Sequence, residues 1–317
     1  MFGLAVAACY QGKEKGVVKR LFRHSLPILA LSVVPMAIAA MPAQAAPVPG
    51  PSVQFYSSCG AIHRHLVKAP DGDYLLYNNG NLFTVYCDGM SSKTPSEYIN
   101  LVKTGYGANF SQYTAGGASP GSSVRTSFAK LRVNPATLTV DIGDLTFARS
   151  TGRLMHSGSV KVTSMPYGVA MSCSAPHAAN GIGNIDLRYT PFQVNSSFTV
   201  GGSNANGSAT VTQNKQLVAL SGGGYCGWIA PSHSPQLYNP FNPKPGMYDL
   251  TLSCASGSVS TAPGQICFRV DNLKGLTARS GPGNVVDVLY HGSPVATTNR
   301  SGQVQAPAAL SSAWAPL

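Results

Sequence analysis

Apolar and polar residues alternate in short runs along most of the chain beyond residue 58. In one run, Leu138, Val140 and Ile142 are separated by polar residues, so all three would face the same side of a strand. A period of two residues indicates half-buried strands, whereas the apolar spacing of helices is weak after residue 45. The candidate strands are 74–77, 82–87, 137–142, 160–162, 192–200, 248–254, 265–270 and 285–289.

Turn-forming residues separate these runs. Asn78-Asn79-Gly80-Asn81 follows the first candidate strand, and Asn-Gly supplies the positive φ angles that a tight hairpin needs. The chain holds 34 Gly and 23 Pro, with 10% charged and 44% hydrophobic residues, which favours short strands over disorder. We therefore predict a mainly β fold, an irregular antiparallel sandwich or barrel. A short segment at 96–103 is the best helix candidate beyond residue 45.

The first 45 residues have the pattern of an export signal, which adds an N-terminal signal helix to the prediction. A basic head precedes an apolar run of sixteen residues, Leu26–Met41, and Ala43-Gln44-Ala45 forms a small-residue cleavage site. The run is shorter than the roughly twenty apolar residues that span a bilayer. We predict a signal peptide at 1–45, a secreted protein and no transmembrane segment after cleavage. A signal anchor that stays uncut is the alternative.

Removal of this segment changes how the cysteines are interpreted. The chain has seven cysteines, and Cys9 lies within the predicted signal. An even number in an exported protein favours disulfides, here up to three, although sequence alone does not choose their pairing. The closest two are 13 positions apart and no Cys-x-x-Cys occurs, which argues against a thiolate zinc site. The six candidates for disulfides are Cys59, Cys87, Cys173, Cys226, Cys254 and Cys267.

The charge balance is basic but dispersed. The formal charge is +11, and removing residues 1–45, with five of the 22 Lys/Arg and one of the 11 Asp/Glu, leaves +7. A nucleic-acid-binding protein usually clusters its basic residues, and these are spread singly, so we predict no nucleic-acid partner. A positive surface attracts anionic cell-wall polymers or polyanionic sugars. The alternative is that it only keeps the protein soluble.

A set of short strings along the chain resembles one family, the GON domain. This cysteine-bearing module lies at the carboxyl end of some ADAMTS secreted metalloproteases and also occurs in bacterial secreted proteins. The strings, in order, are Cys59, Asp71-Gly72-Asp73-Tyr74, Phe83-Thr84-Val85-Tyr86-Cys87-Asp88-Gly89-Met90, Pro95-Ser96-Glu97-Tyr98-Ile99-Asn100-Leu101, Asn109-Phe110-Ser111, Thr126-Ser127-Phe128, Leu131-Arg132-Val133, Asp144-Leu145-Thr146-Phe147-Ala148, Tyr167-Gly168-Val169-Ala170-Met171-Ser172-Cys173, Asn180-Gly181, Asn184-Ile185-Asp186-Leu187, Thr190-Pro191-Phe192 and Gly224-Tyr225-Cys226-Gly227-Trp228.

The resemblance implies a disulfide-bonded, largely β, non-catalytic module. It leaves Cys254 and Cys267 outside, as candidates for a bridge of their own. A Pro-dense stretch at 231–246 is the best internal boundary. The predicted division is a Pro-rich lead at 46–58, a GON-like domain at 59–231, a small β extension at 232–290 and a flexible tail at 291–317.

The chain lacks the motif of the family's protease neighbour. His-Glu-x-x-His needs a Glu between two His, and Glu97, the one Glu after residue 45, has no His near it. We therefore predict no catalytic residues and no cofactor. A zinc metallopeptidase-related protein, or another hydrolase, is the alternative function, and zinc enters only through association with the family.

Several weaker patterns in the sequence are candidates for chemistry. His63 and His65 would share one face of a strand and are weak metal candidates, against a solvated strand end. Gly117-Ala118-Ser119-Pro120-Gly121 fits Gly-x-Ser-x-Gly, but it lies in a Gly/Ser-rich loop with no helix after it. Asp141 and Asp144, with Asp186, could gather for calcium binding or acid/base work, although surface turn carboxylates are the common case.

Aromatic residues cluster around Cys226 and the Pro-dense stretch. If exposed as one patch, they could stack on sugar rings or on proline in a partner. The alternative is that they pack on the disulfide and close the core. The candidates for binding are Tyr225, Trp228 and Tyr238, with Phe241 and Tyr248 nearby.

The leading hypothesis is a secreted, non-catalytic interaction module that binds an extracellular glycan, cell-wall or protein ligand. A hydrolase is the second hypothesis, and a structural surface protein that self-associates is the third.

Overall fold

The computed structural model describes residues 54–114, 116, 123–234, 239–247, 249–257, 259–271, 273–281 and 283–305. All of them belong to the unit Val48–Leu317. The predicted signal peptide and its helix, residues 1–45, lie outside the described residues.

The mainly β fold is confirmed, since the described residues form 22 strands and one short α-helix. The elements are α1 (Cys59–His65), β1 (Gly72–Asn78), β2 (Asn81–Asp88), β3 (Ser96–Asn100), β4 (Phe110–Thr114), β5 (Val124–Phe128), β6 (Lys130–Asn134), β7 (Thr139–Asp141), β8 (Ala148–Thr151), β9 (Leu154–His156), β10 (Val160–Val162), β11 (Ala170–Ser172), β12 (Gly181–Asp186), β13 (Phe192–Val194), β14 (Phe198–Gly201), β15 (Asn206–Thr212), β16 (Leu217–Gly223), β17 (Gly227–Pro231), β18 (Asp249–Cys254), β19 (Cys267–Arg269), a 3-10 turn (Leu273–Gly275), β20 (Leu276–Ser280), β21 (Val285–Tyr290) and β22 (Ser293–Asn299).

Two large sheets carry most of these strands. The eight-stranded sheet has the order β1-β2-β3-β6-β7-β18-β13, with β19 also pairing with β2. The nine-stranded sheet has the order β14-β17-β11-β4-β12-β16-β15, and β5 joins β4 to the edge strand β8. A hairpin of β9 and β10 and a three-stranded sheet of β20, β21 and β22 complete the described structure.

The first hairpin forms where the turn residues predicted it. Strands β1 and β2 pair in register from Gly72 opposite Cys87 to Asn78 opposite Asn81. Asn79 and Gly80 have φ angles of 48° and 79°, the positive values that a two-residue hairpin turn requires.

One large core is shared by the two main sheets. Its fully buried side chains include Tyr74, Phe83, Tyr113, Phe128 and Tyr167. Complete burial of a side chain of this size contributes roughly 1.5–3 kcal/mol through removal of apolar surface from water. Trp228, by contrast, lies at the edge of this core and is 9% exposed.

Three disulfides form, as the even number of cysteines predicted. The bridge from Cys59 to Cys87 joins α1 to β2. A second bridge joins the segment after β11 to the start of β17, and a third joins β18 to β19. These two pairs are Cys173–Cys226 and Cys254–Cys267.

Two segments differ from the expectation. The helix candidate at 96–103 is wrong, because Ser96–Asn100 is strand β3 and its buried Tyr98 and Ile99 lie between β2 and β6. The α-helix of the described structure lies instead at Cys59–His65. It begins where the Ser58 hydroxyl accepts the N–H of Ala61 at 3.0 Å, a side-chain N-cap.

The last predicted segments also carry strands. Within the predicted extension at 232–290, β18 pairs with β7 and β13, and β19 pairs with β2. Within the predicted tail at 291–317, Ser293–Asn299 forms strand β22 against β21, and Thr298 is fully buried. Residues 306–317 lie outside the described part of the chain.

Candidate functional site

A cleft of about 450 Å³ lies beside the free edge of the nine-stranded sheet. One wall is formed by the ends of β5 and β8, and the other by the loops around Tyr106 and Phe147. The side chains of the lining include Tyr106, Ser127, Phe147, Arg149 and Thr151.

Strand register explains why polar groups meet at this edge. Ser127 lies opposite Phe110 on one side and Arg149 on the other, and Arg125 lies opposite Gln112 and Thr151 in the same way. Residues two apart in a strand share a face, so these rows lie on one side of β4, β5 and β8. Thr126, between them, points the other way and is fully buried.

An arginine holds the exposed aromatic ring at the mouth of the cleft. The Arg125 guanidinium lies 4.0 Å from the centre of the Tyr106 ring and 3.9 Å from that of Phe110. Its Nη1 donates to the Tyr106 carbonyl and its Nε to Gln112 Oε1, both at 2.7 Å. Tyr106 is nevertheless 75% exposed. The ring is therefore fixed in orientation and open to a ligand, and each exposed cation–π contact contributes about 0.5–1 kcal/mol.

Further cations and aromatic rings line the cleft and lie next to it. Arg149, on the edge strand β8, is exposed. Phe147 makes edge-to-face contacts with Tyr98 at 4.8 Å and with Tyr86 at 6.0 Å between ring centres. The Lys130 ammonium lies 4.0 Å from the centre of the Tyr86 ring.

A second, larger cleft of about 730 Å³ has three acidic residues in its lining: Glu97, Asp141 and Asp249. Glu97 accepts the N–H of Cys59 at 2.7 Å, and Asp141 accepts those of Gly143 at 3.0 Å and Gly246 at 2.6 Å. Burial raises the pKa of both Glu97 and Asp141 above the usual carboxyl range. These carboxylates are engaged with backbone donors, so they fasten the chain segments around the cleft.

The predicted carboxylate group is only partly brought together. Asp144 is buried and accepts the N–H of Thr146 at 2.9 Å, and its charge contributes to the raised pKa of Asp141. Asp186 instead forms an ion pair with Arg188 at 2.6 Å.

The histidine pair does not lie on a strand as we expected. His63 and His65 belong to α1, where residues two apart lie on different faces, so the strand argument for a shared metal ion is wrong. The Nδ1 atom of His63 is buried and has no hydrogen-bond partner among the described residues, while the His65 ring packs on Tyr56 at 5.4 Å between centres.

Elsewhere among the described residues, one group brings three potential metal ligands within 4.8 Å of one another: His156, Cys173 and Cys226. The two sulfurs are joined to each other, so neither is available as a thiolate. His156 Nδ1 lies 2.8 Å from the hydroxyl of Tyr113, and burial lowers the pKa of the imidazole.

The aromatic candidates are divided between core and surface. Trp228 is buried, Phe241 stacks on Tyr113 with 6.1 Å between ring centres, and Tyr225 is 52% exposed. Tyr238 lies outside the described residues, as do Tyr248 and the Gly-x-Ser-x-Gly segment with Ser119. Trp228 and Phe241 therefore pack into the core, which is the alternative to an exposed binding patch.

The cleft beside Tyr106 was not predicted from the sequence. One signal was available, because Gly105-Tyr106-Gly107 places a large aromatic residue between two glycines, a position where it cannot pack into a regular strand. The arginines Arg125 and Arg149 could not be found in this way, since only the pairing of β4, β5 and β8 brings them to the same face of the sheet.

Comparison with known proteins gives one family. The model of the GON domain matches residues 56–122 and 118–239, more than half of the chain. The searches found no curated protein and no solved structure that matches this chain. In the part of the chain that the structure describes, no helix has the length and apolar character needed to cross a membrane. The disulfides and the matched domain are consistent with an extracellular protein. The chain belongs to the GON domain family.

Proposed function

We propose that this protein is secreted and acts as a non-catalytic binding module, which holds an anionic saccharide polymer in the cleft beside Tyr106. The observation that carries the proposal is the exposed Tyr106 ring, fixed by Arg125 at the mouth of a 450 Å³ cleft. A rigid, exposed aromatic ring that needs no reordering is the kind of surface on which a ligand binds at low entropic cost.

The chemistry of the cleft fits a sugar with acidic groups. The apolar face of a sugar ring stacks on an aromatic side chain such as Tyr106. The Arg149 guanidinium matches carboxylate or sulfate oxygens, and the hydroxyls of Ser127 and Thr151 offer hydrogen bonds to sugar hydroxyls. A formal charge of +7 on residues 46–317 would also speed the approach of a polyanion.

Secretion is part of the proposal. It is supported by the signal pattern at 1–45 and by the three disulfides, which persist in oxidising compartments. Cleavage after Ala45 would be checked by determining the N-terminus of protein harvested from the medium.

The binding test uses the mature protein and a panel of soluble fragments of peptidoglycan, acidic polysaccharides and matched neutral polysaccharides. Titration calorimetry should give measurable binding to an acidic polymer that weakens as salt is added. Tyr106→Ala and Arg149→Ala should each weaken it by roughly tenfold, equivalent to ~1.4 kcal/mol.

Matched controls lie away from the cleft. Tyr225→Ala removes another exposed tyrosine, and Arg269→Ala removes an exposed arginine of β19, in the eight-stranded sheet. Both should bind like the wild type. Absence of binding across the panel, or an equal loss in Tyr225→Ala, would refute the proposed site.

A hydrolase is the second candidate, favoured by the larger cleft. Half-buried Glu97 and Asp141, both with a raised pKa, are the type of groups that transfer protons in acid/base catalysis. Turnover of a polysaccharide or peptide substrate that is lost in Glu97→Gln would support it. Elemental analysis for zinc on the same material would test the family-derived metal.

A further inference from the structure

Three polar side chains meet on one face of the eight-stranded sheet. Asn100, the last residue of β3, lies directly opposite Lys130, the first residue of β6. Asp73 lies on β1, in the row that continues through Tyr86 and Tyr98. Because Asn100 is two positions from Tyr98, it shares the face of that row.

The carboxamide of Asn100 is held between an amine and a carboxylate. Lys130 Nζ donates a hydrogen bond to Asn100 Oδ1, and Asn100 Nδ2 donates to Asp73 Oδ1 at 2.7 Å. An ammonium has no acceptor and a carboxylate has no donor, so the opposite orientation of the amide would break both bonds. The contacts therefore fix which side of the carboxamide faces Lys130.

The amine is enclosed by aromatic rings. Lys130 Nζ lies 4.0 Å from the centre of the Tyr86 ring and 5.6 Å from that of Phe147. Burial lowers the pKa of Lys130, against the opposing effect of the Asp73 and Asp88 carboxylates. Enclosure thus increases the fraction of neutral amine, the form that can act as a nucleophile.

We propose that Lys130 and Asn100 become joined by an intramolecular amide bond between β3 and β6, with Asp73 as the proton carrier. Lys130 Nζ, as a neutral amine, forms a bond to Asn100 Cγ, and the bond from Cγ to Nδ2 breaks. Nζ gives up one proton, Asp73 passes it to Nδ2, and Nδ2 leaves as ammonia. The product is a secondary amide, and no oxidant or other reactant is needed.

The fold supplies what such a reaction requires in solution. Free amines do not displace ammonia from amides at a useful rate in water, but two groups held in contact by paired strands react at a very high effective concentration. Asp73 already touches Nδ2, the atom that must accept a proton before it leaves. Once formed, the bond would resist the reductants that open the disulfides.

The test is peptide mass spectrometry of the wild-type protein, purified with its disulfides formed, then reduced, alkylated and digested with trypsin. We expect a branched species that joins Thr94–Lys103 to Thr126–Arg132, uncut at Lys130. Its mass should equal the sum of the two peptides less one ammonia, about 17 Da. Neither peptide contains cysteine, so disulfide exchange cannot produce the species.

Variants separate the reaction from simple proximity. Lys130→Arg and Asn100→Ala should abolish the branched species. Asp73→Ala should slow its formation roughly a hundredfold or more, since a positioned acid/base group contributes about that factor. Lys103→Arg is the matched control, because the Lys103 ammonium lies over the Tyr189 ring and the substitution keeps the tryptic site. It should leave the branched species at its wild-type level.

Recovery of Lys130 and Asn100 only in separate, unmodified peptides from folded wild-type protein would overturn the proposal. A branched species that persists in Lys130→Arg would also overturn the proposal. Neither outcome depends on ligand binding at the Tyr106 cleft, so the two proposals can fail independently.

Discussion

The two clefts of this protein use their polar groups in opposite ways. In the larger cleft the half-buried carboxylates of Glu97 and Asp141 accept backbone N–H groups and hold chain segments together. In the smaller cleft Arg125 keeps the Tyr106 ring in place yet leaves it 75% exposed. The polar groups of the larger cleft thus stabilise the fold, whereas those of the smaller cleft are exposed to solvent.

This difference shows why cleft size is a poor guide to function here. A ligand entering the larger cleft must compete with hydrogen bonds to charged acceptors, which contribute about 1.5–3 kcal/mol each. A ligand at Tyr106 displaces only water from an aromatic face. Substitutions around the larger cleft should therefore lower stability, and substitutions around the smaller one should lower binding.

The largest expected effect comes from the bridge next to the larger cleft. Replacing Cys59 and Cys87 by alanine removes the bond between α1 and β2, which closes a loop of 28 residues. We expect the free energy of unfolding to fall by about 3–4 kcal/mol, mainly because the unfolded chain gains freedom. Urea denaturation followed by fluorescence would measure it.

The matched control is the pair Cys254→Ala and Cys267→Ala, whose bridge spans 13 residues and should contribute about 3 kcal/mol or less. Under conditions where either variant is folded, affinity at the Tyr106 cleft should stay at the wild-type value. A fall in affinity that follows the loss of stability would contradict the separation of the two clefts.

A smaller effect should come from Glu97→Ala. The Cys59 N–H would lose its acceptor while Cys59 stays fully buried, which costs about 1–3 kcal/mol. Glu97→Gln keeps an acceptor oxygen and should be less harmful. Asp249→Ala, an exposed acidic residue of the same cleft, is the control and should change stability by no more than about 0.5 kcal/mol.

The pH dependence gives an independent check on Glu97. Its pKa is raised by burial, so between its ordinary pKa and the raised one the folded protein binds more protons than the unfolded chain. Stability due to this group therefore falls as pH rises through that window. Glu97→Gln removes the fall, so the stability of the variant relative to wild type should increase with pH. A constant difference between about pH 4 and about pH 7 would show that Glu97 does not titrate in this way.

Much of the fold followed from local patterns. Three features could be predicted without knowledge of distant residues. The turn at Asn79 and Gly80 predicted the first hairpin, the alternation through Val140 predicted strand β7, and the even number of cysteines predicted disulfides. Segment 96–103 was misjudged because its strand depends on neighbours: Tyr98 is buried only once β2 and β6 lie on either side. The helix at Cys59–His65 was missed because a seven-residue helix has too few turns for a clear period.

The candidate sites depended even more on distant pairing. The position of Tyr106 between two glycines was visible, but its contact with Arg125 depends on the pairing of β4 with β5. Asp73, Asn100 and Lys130 come from three strands, and nothing in their spacing indicates that their side chains touch. Aromatic residues near Cys226 were conspicuous in sequence, yet Trp228 is buried. Composition predicted which residues could bind, and only strand register determined which are accessible.

The smallest effect on stability, and the sharpest test of the smaller cleft, is Arg125→Lys. Lysine keeps the charge but lacks the planar group that stacks between Tyr106 and Phe110 and donates in two directions. We expect a loss of only about 0.5–1 kcal/mol in stability, because the contacts are partly exposed. Affinity for the acidic polymer should fall several-fold, since the Tyr106 ring would have to be ordered during binding. If charge alone mattered, Arg125→Lys would bind like wild type while Arg125→Ala would not. Calorimetry on both variants distinguishes these cases. Equal affinities of the wild type, Arg125→Lys and Arg125→Ala would show that Arg125 does not contribute to binding.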